Sequence, residues 1–151
     1  MPSFEKGGGN PTTPFGRNEF LRSTRGIKTE SYSLAAATVP ARTIDGNAGQ
    51  KILQPGTVLA KITSGPDAGK VGPFQAGATD GRQTLTNIVG LNRTFVPWQL
   101  LHRDVEVAAV YTCTAVQGWC KELDAAGLEI TLTDATANAM RGTKGLDILF
   151  K

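Results

Sequence analysis

The sequence predicts an all-β domain with short helical insertions, preceded by an extended N-terminal arm. Three observations carry that reading. Apolar residues alternate with period two through most of the chain after Ser33. Gly, Pro, Asn and Asp clusters separate the alternating runs. Residues 1–33 show neither period, so the chain divides into an arm over 1–33 and a domain over 34–151.

In the arm, Gly7-Gly8-Gly9, Pro11, Pro14, Gly16 and Gly26 oppose a helix or a long strand, while Phe4, Phe15, Phe20 and Leu21 stand apart among polar residues. Five basic residues (Lys6, Arg17, Arg22, Arg25, Lys28) face three acidic ones, which places +2 of the chain's net +3 there. Ordering some thirty residues costs about 1 to 2 kcal/mol each. A buried Phe returns roughly 1.5 to 3 kcal/mol. Such an arm therefore becomes ordered only if it also gives its backbone hydrogen bonds to a neighbouring surface, as in strand addition to a sheet edge.

Ser33 to Val39 and Lys51 to Ile62 are the first strands of the domain, separated by the turn-rich TIDGNAGQ. In KILQPGTVLAKITSG, Pro55-Gly56 makes a turn, and Val58, Ala60 and Ile62 share a face. Val71 to Phe74 reads as a short edge piece because Pro73 cannot donate to a ladder. From Thr84 to Leu91, Leu85, Val89 and Leu91 fall on one face and Thr84, Thr86 and Ile88 on the other.

Residues 104–116, DVEVAAVYTCTAV, form the strongest strand, β-branched and free of Pro and Gly. Val105, Val107, Ala109, Tyr111 and Cys113 take one face, and the other is only half polar, which predicts either a central position in the sheet or a helix covering the second face. GWCKELDAAG then reads as one or two helical turns, with Trp119 and Leu123 four apart and Gly127 as the C-cap. LEITLTDA follows as a strand, Thr133 or Asp134 caps a helix over ATANAMRG, and LDILFK closes as a strand with Leu146, Ile148 and Phe150 inward.

At 151 residues, the chain is one domain's worth, able to bury roughly two thirds of its unfolded surface. Charged residues are 19 %, against about 25 % in typical soluble domains. A partner covering part of the surface would account for that. The basic residues are scattered, without the stripe or aromatic interleaving of a nucleic-acid binder. Cys113 and Cys120 are too few for a disulfide framework and, with His102 as the lone histidine, too few for a zinc site, so they read as packing thiols. Residues 1–10, MPSFEKGGGN, lack the features of a secretory leader, and no apolar run approaches a membrane span, so a cytosol-like compartment of synthesis is expected.

The search for chemistry turns up fragments only. SGPDAGKV has three residues between its glycines where a phosphate loop needs four, and Val71 in place of Ser or Thr, so a hairpin turn is expected. None of the five serines sits in a nucleophile elbow. The one hydrolase reading pairs His102 with Asp104 or Glu106. The carboxylates Asp45, Asp80, Asp104 and Glu106 are not marked out as a glycosidase pair, and Asn92-Arg93-Thr94 has the form of a glycosylation sequon without a leader to expose it. Catalytic residues, metal ligands, cofactors and a small-molecule substrate are accordingly not expected.

The stretch Ile52-Leu53-Gln54-Pro55-Gly56-Thr57-Val58-Leu59-Ala60-Lys61-Ile62 resembles the opening strand of the tailed-phage head decoration, or capsid cement, proteins of the lambda type. Further resemblances follow in the same order: Gly72-Pro73-Phe74, Asp80-Gly81 with Ile88-Val89-Gly90, Asp104 to Ala108 with Ala115-Val116, and Met140-Arg141 to Gly145-Leu146-Asp147-Ile148. The set covers about residues 44–150 and leaves out the arm. The resemblance implies a compact β-tulip-like barrel or sandwich and a homotrimer on the outer capsid surface at local threefold positions. The major capsid protein is then the partner and the virion the location, with no nucleic acid, membrane or cofactor involved. On that reading, Phe4, Pro11, Pro14, Phe15, Arg17, Phe20, Leu21, Arg22 and Arg25 are the capsid-binding arm residues, and Trp98 is either core or a subunit contact. A head-fibre base or tail component is the alternative structural role.

Overall fold

The computed structural model describes residues 20–44, 46–97 and 101–151. The all-β class with short helical insertions is what they adopt. Among the described residues, ten strands, three short 3-10 turns and one α-helix follow one another.

Five of the strands close a ring. In spatial order, these are β1 (Lys28–Leu34), β5 (Val71–Pro73), β4 (Val58–Lys61), β6 (Ile88–Asn92) and β7 (Val105–Ala115), and β7 returns to pair with β1. The seam from β7 to β1 is the longest, antiparallel from Lys28↔Thr112 to Leu34↔Val105. The other seam of β1, to β5, is the weakest, a single parallel pair, Leu34↔Val71. β10 (Asp147–Phe150) lies parallel to the later half of β7, from Asp147↔Thr112 to Phe150↔Ala115. Two hairpins, β2 (Ala41–Ile44) with β3 (Asn47–Lys51) and β8 (Lys121–Leu123) with β9 (Glu129–Thr131), stand on the ring.

Two apolar cores share the wall. Leu34, Leu59, Val71, Val107 and Ala109 come from four strands around the ring and therefore fill its interior, joined by Leu53, Val96 and Leu101. The second core lies outside the wall of β4, β6 and β7. Val58, Ala60, Leu91 and Val110 are covered there by Phe20, Phe74, Leu132, Ile148 and Phe150, and by Ala137 and Met140 of α1 (Asp134–Arg141). β7 reaches both cores by alternation up to Val110, and a bulge at Tyr111 then reverses the parity: Thr29 pairs with Val110 and Lys28 with Thr112, which leaves Tyr111 over. Val107 and Ala109 face the ring interior before the bulge, and Cys113 and Ala115 face the outer core after it. The single face expected for Val105 through Cys113 is thus broken in the middle.

Other expectations are corrected by the same kind of local event. The strand expected at Ser33–Val39 ends at Leu34, and Ala36–Thr38 is a 3-10 turn. There the Ala36 N–H donates to the Asp104 carboxylate (2.9 Å) rather than to a ladder. TIDGNAGQ contributes strand to the β2–β3 hairpin, and Lys51–Ile62 yields strand only at Lys51 and at Val58–Lys61, broken by the Pro55-Gly56 turn. β5 sits between β4 and β1 rather than at an edge. Pro73 is tolerated as its last residue, where its carbonyl accepts from Arg82 Nη1 (3.1 Å).

In β6 the pairs Leu59↔Gly90 and Ala60↔Ile88 leave Val89 as an extra residue, so Ile88 and Leu91 share the outer core and Val89 turns to the inner one. Gly90 has φ +148°, and a Cβ there would collide with the Val110 carbonyl oxygen. The helix expected in GWCKELDAAG is instead a 3-10 turn, Gln117–Trp119, followed by β8. Gly127, at φ +85°, serves the β8–β9 turn, in which Asp124 accepts from the Ala126 and Leu128 N–H groups (2.9 Å each). The helix over ATANAMRG is present as α1, with Thr133 Oγ1 accepting from Thr136 N (3.3 Å).

Candidate interaction site

Of the residues expected to bind a capsid, Phe4, Pro11, Pro14, Phe15 and Arg17 lie outside the described residues, as does Trp98. The four that are described belong to the body of the domain. Phe20 is 1 % exposed and sits in the outer core. Leu21 is half-buried and bridges to Ala115, with hydrogen bonds on either side from Val116 N to Phe20 O (2.7 Å) and from Arg22 N to Thr114 O (2.9 Å). Arg22 and Arg25 are exposed beside that short ladder. With β1 beginning at Lys28, the boundary expected after residue 33 does not separate arm from domain. Residues 20–33 are built into the body, and Phe20 has no free side chain to offer a neighbour.

Phe20 is seated by the turn that the sequence marks most clearly. Gly56 has φ +84°, and a Cβ there would come within 3.0 Å of the Phe20 Cβ and Cγ and 3.1 Å of the Trp119 carbonyl oxygen. Around this anchor, Gln117 N donates to Lys151 O (3.1 Å) and Lys151 N to Ala115 O (2.9 Å). Phe20, the end of β10 and the Trp119 turn thus meet in one cluster. Trp119 is 48 % exposed there, and Leu149 of β10, which alternates out of the core, is 50 % exposed.

A second surface is the cleft of about 360 Å³ between the two hairpins, walled by Val39, Pro40, Ile52, Leu53, Leu123 and Leu128. Its polar groups satisfy one another. Arg42 Nη2 pairs with Glu129 Oε2 at 2.8 Å, and Gln54 Nε2 donates to Glu129 Oε1 at 2.8 Å. Leu128, on the rim, is the most exposed large apolar residue described. Its alternation with Ile130 and Leu132 suggests an inward face, but it falls in the β8–β9 turn, ahead of the strand, where the alternation has no hold.

His102 is exposed and lines an open depression of about 710 Å³ with Lys51, Leu101, Arg103 and Asp104. Both oxygens of Asp104 are engaged, Oδ1 by Ala36 N (2.9 Å) and Oδ2 by Lys70 Nζ (2.5 Å). The Lys70 bond, then that of Ala36, holds the carboxyl below its usual range, and the two carboxylates of Asp104 and Asp67 raise Lys70 to about 12. Glu106 is exposed on the opposite parity of β7 from Val105 and Val107. Lys70 therefore serves an ion cluster in the β4–β5 turn, where Ile62 N donates to Lys70 O and Gly69 N to Ile62 O (2.9 Å each), in keeping with the hairpin expected of SGPDAGKV.

Two further motifs have structural roles. Asp80 holds the Arg82 guanidinium (2.9 Å), which in turn fixes Pro73. Asn92 of the sequon is fully buried, its amide donating to the carbonyls of Gln54 (3.0 Å) and Thr94 (2.7 Å). Burial raises the thiols of Cys113 to about 11 and Cys120 to about 12, with a smaller contribution from Asp147 and Cys113 respectively. Among the described residues, no group of three His, Cys, Asp or Glu side chains is placed to hold a metal ion, and no helix is long and apolar enough to cross a membrane.

Comparison of the chain with protein-family models, with characterised proteins and with solved structures finds no match.

Proposed function

We propose that the chain is a capsid decoration protein. It binds the outer surface of a tailed-phage head as a homotrimer at local threefold positions, with the major capsid protein as its partner, and reinforces the mature shell. The reading rests on the ordered resemblance of its strand segments to that family. The observation that carries it furthest is where those segments fall. Ile52–Ile62, Gly72–Phe74, Ile88–Gly90, Asp104–Ala108 and Leu146–Ile148 supply β4 to β7 and β10 or the loops beside them, and with them both cores. They build a closed body whose purpose is shape.

The mode of attachment follows from the anchor. The nineteen residues ahead of Phe20 include Phe4, Pro11, Pro14, Phe15 and Arg17, and they join the body at Phe20, which is itself built into the outer core. Three such tethers on one trimer multiply weak contacts through effective concentration. Of the two carboxylates a hydrolase built on His102 could use, Asp104 accepts from Lys70 and Ala36, and Glu106 is exposed.

The test is decoration of emptied phage heads, followed by negative-stain imaging, with the intact chain and with a form lacking residues 2–19. The truncated form retains Phe20 and with it the outer core, so it should fold, which circular dichroism checks. Particles should carry the intact protein at regular positions and lose it with the truncation. Full occupancy by the truncated form would remove the arm from the reading, and absence of binding by the intact chain would remove the reading itself.

A further inference from the structure

We propose that the outer edge of β1 is a self-pairing surface, on which two copies of the chain join β1 to β1 antiparallel with Thr29 opposite the partner's Thr29. β1 is paired to β7 along its whole length on one side, whereas its other side meets β5 only at Leu34↔Val71. There Ala35 N donates to Val71 O (2.9 Å), which sets the parity of the strand. The backbone groups of Leu34, Tyr32 and Glu30 turn to β7, and those of Ser31 and Thr29 turn to the open side. Lys28, Thr29, Glu30 and Ser31 are all exposed, and among the described residues no strand pairs with that side of Thr29 or Ser31. Such a row of open N–H and C=O groups is a template for another strand.

The occupant is argued from charge. Lys28 and Glu30 fall on one face of β1, two apart and opposite in sign, and neither makes an ion pair among the described residues; Glu30 Oε2 accepts only from the Tyr32 hydroxyl (3.0 Å). Because the outward backbone groups alternate, a second β1 can slide only in steps of two residues. With Thr29 on the two-fold axis, Lys28 lies opposite the partner's Glu30 and Glu30 opposite the partner's Lys28, both in the non-hydrogen-bonded sites where side chains approach most closely. One step to either side sets Lys28 against the partner's Lys28 or Glu30 against the partner's Glu30, and like charges placed so are destabilising. The charges that would guard this edge against a foreign strand therefore select a copy of itself in one register. A strand pair this short buries little area, so association is weak, concentration-dependent and reduced by salt. The inference stands apart from decoration, since no shell enters its test.

The experiment is sedimentation of the full-length chain over a dilution series, with amide exchange measured at both ends of the series. The mean mass should rise with concentration. In the concentrated sample the Thr29 and Ser31 amides should exchange slowly and become fast on dilution, while those of Glu30 and Tyr32, turned to β7, stay slow at both. Lys28→Glu and Glu30→Lys should each weaken association on the order of tenfold, by setting like charges opposite one another twice. Both side chains are exposed, so the variants should fold as the parent does, which circular dichroism checks. The double variant K28E/E30K reverses both signs and should restore association. A rise in mass that both single variants leave intact overturns the proposal, by assigning association to another surface. Thr29 and Ser31 amides whose exchange ignores concentration overturn it as well, and so does a double variant no better than either single one.

Discussion

Phe20→Ala separates a core residue from an arm residue. Phe20 is 1 % exposed, contacts Gly56 and joins a cluster with Cys120, Leu132 and Phe150. Truncating a buried Phe costs about 3 to 5 kcal/mol. For a chain of this size, that corresponds to a fall in melting temperature of roughly 6 to 20 °C. Urea unfolding should show a lower midpoint with an unchanged slope, the mark of a loss of stability without a change in the surface exposed. Gly56→Ala supplies the second leg of a cycle. Its left-handed backbone alone costs about 1 to 2 kcal/mol, and its methyl would press on the Phe20 ring, so the two changes should couple by 0.5 kcal/mol or more. A loss below about 1 kcal/mol for Phe20→Ala, or strict additivity with Gly56→Ala, would show that Phe20 is not seated as described.

Further outcomes follow from named contacts. Asp104→Asn should lower stability at neutral pH and cease to matter in acid. The folded carboxyl titrates below its unfolded value, so its contribution is present above the ordinary carboxylate range and is lost as pH falls through and below it; urea midpoints at several pH values measure this. Cys113 and Cys120 should resist a thiol reagent in the native chain and react on unfolding. Because their folded values lie near 11 and 12, thiol-linked stability should decline as pH rises above about 8.5, the unfolded thiol range. Thr133→Ala, which removes the acceptor for Thr136 N, should cost about 0.5 to 2 kcal/mol in thermal unfolding.

The class of the fold was legible because period-two alternation records burial on one side of a strand. β7, α1 with its Thr133 cap, and β10 stand where the pattern puts them. What the pattern could not carry was parity changes and long-range seating. Tyr111 and Val89 are bulges, set by what the neighbouring strand can pair with, and each moves later residues to the other core. Trp119 and Leu123, four apart, imitate a helical face, yet Thr57 and Gln75 bridge to Lys121 and Leu123 and draw the segment into strand pairing. Phe20 looks like an isolated aromatic in a polar stretch because its partners, Gly56 and Phe150, are 36 and 130 residues away. The cleft, likewise, is the meeting of two hairpins some eighty residues apart, and only the exposed Leu128 hints at it.

β7, with its parity reversed at Tyr111, is the spine of both halves of the molecule. Neither half can melt while the other keeps that spine extended and paired, so heat and chaotrope should produce one sharp transition, identical by Trp fluorescence and by circular dichroism. Pulled or pressed from outside, such a body yields as a unit or not at all.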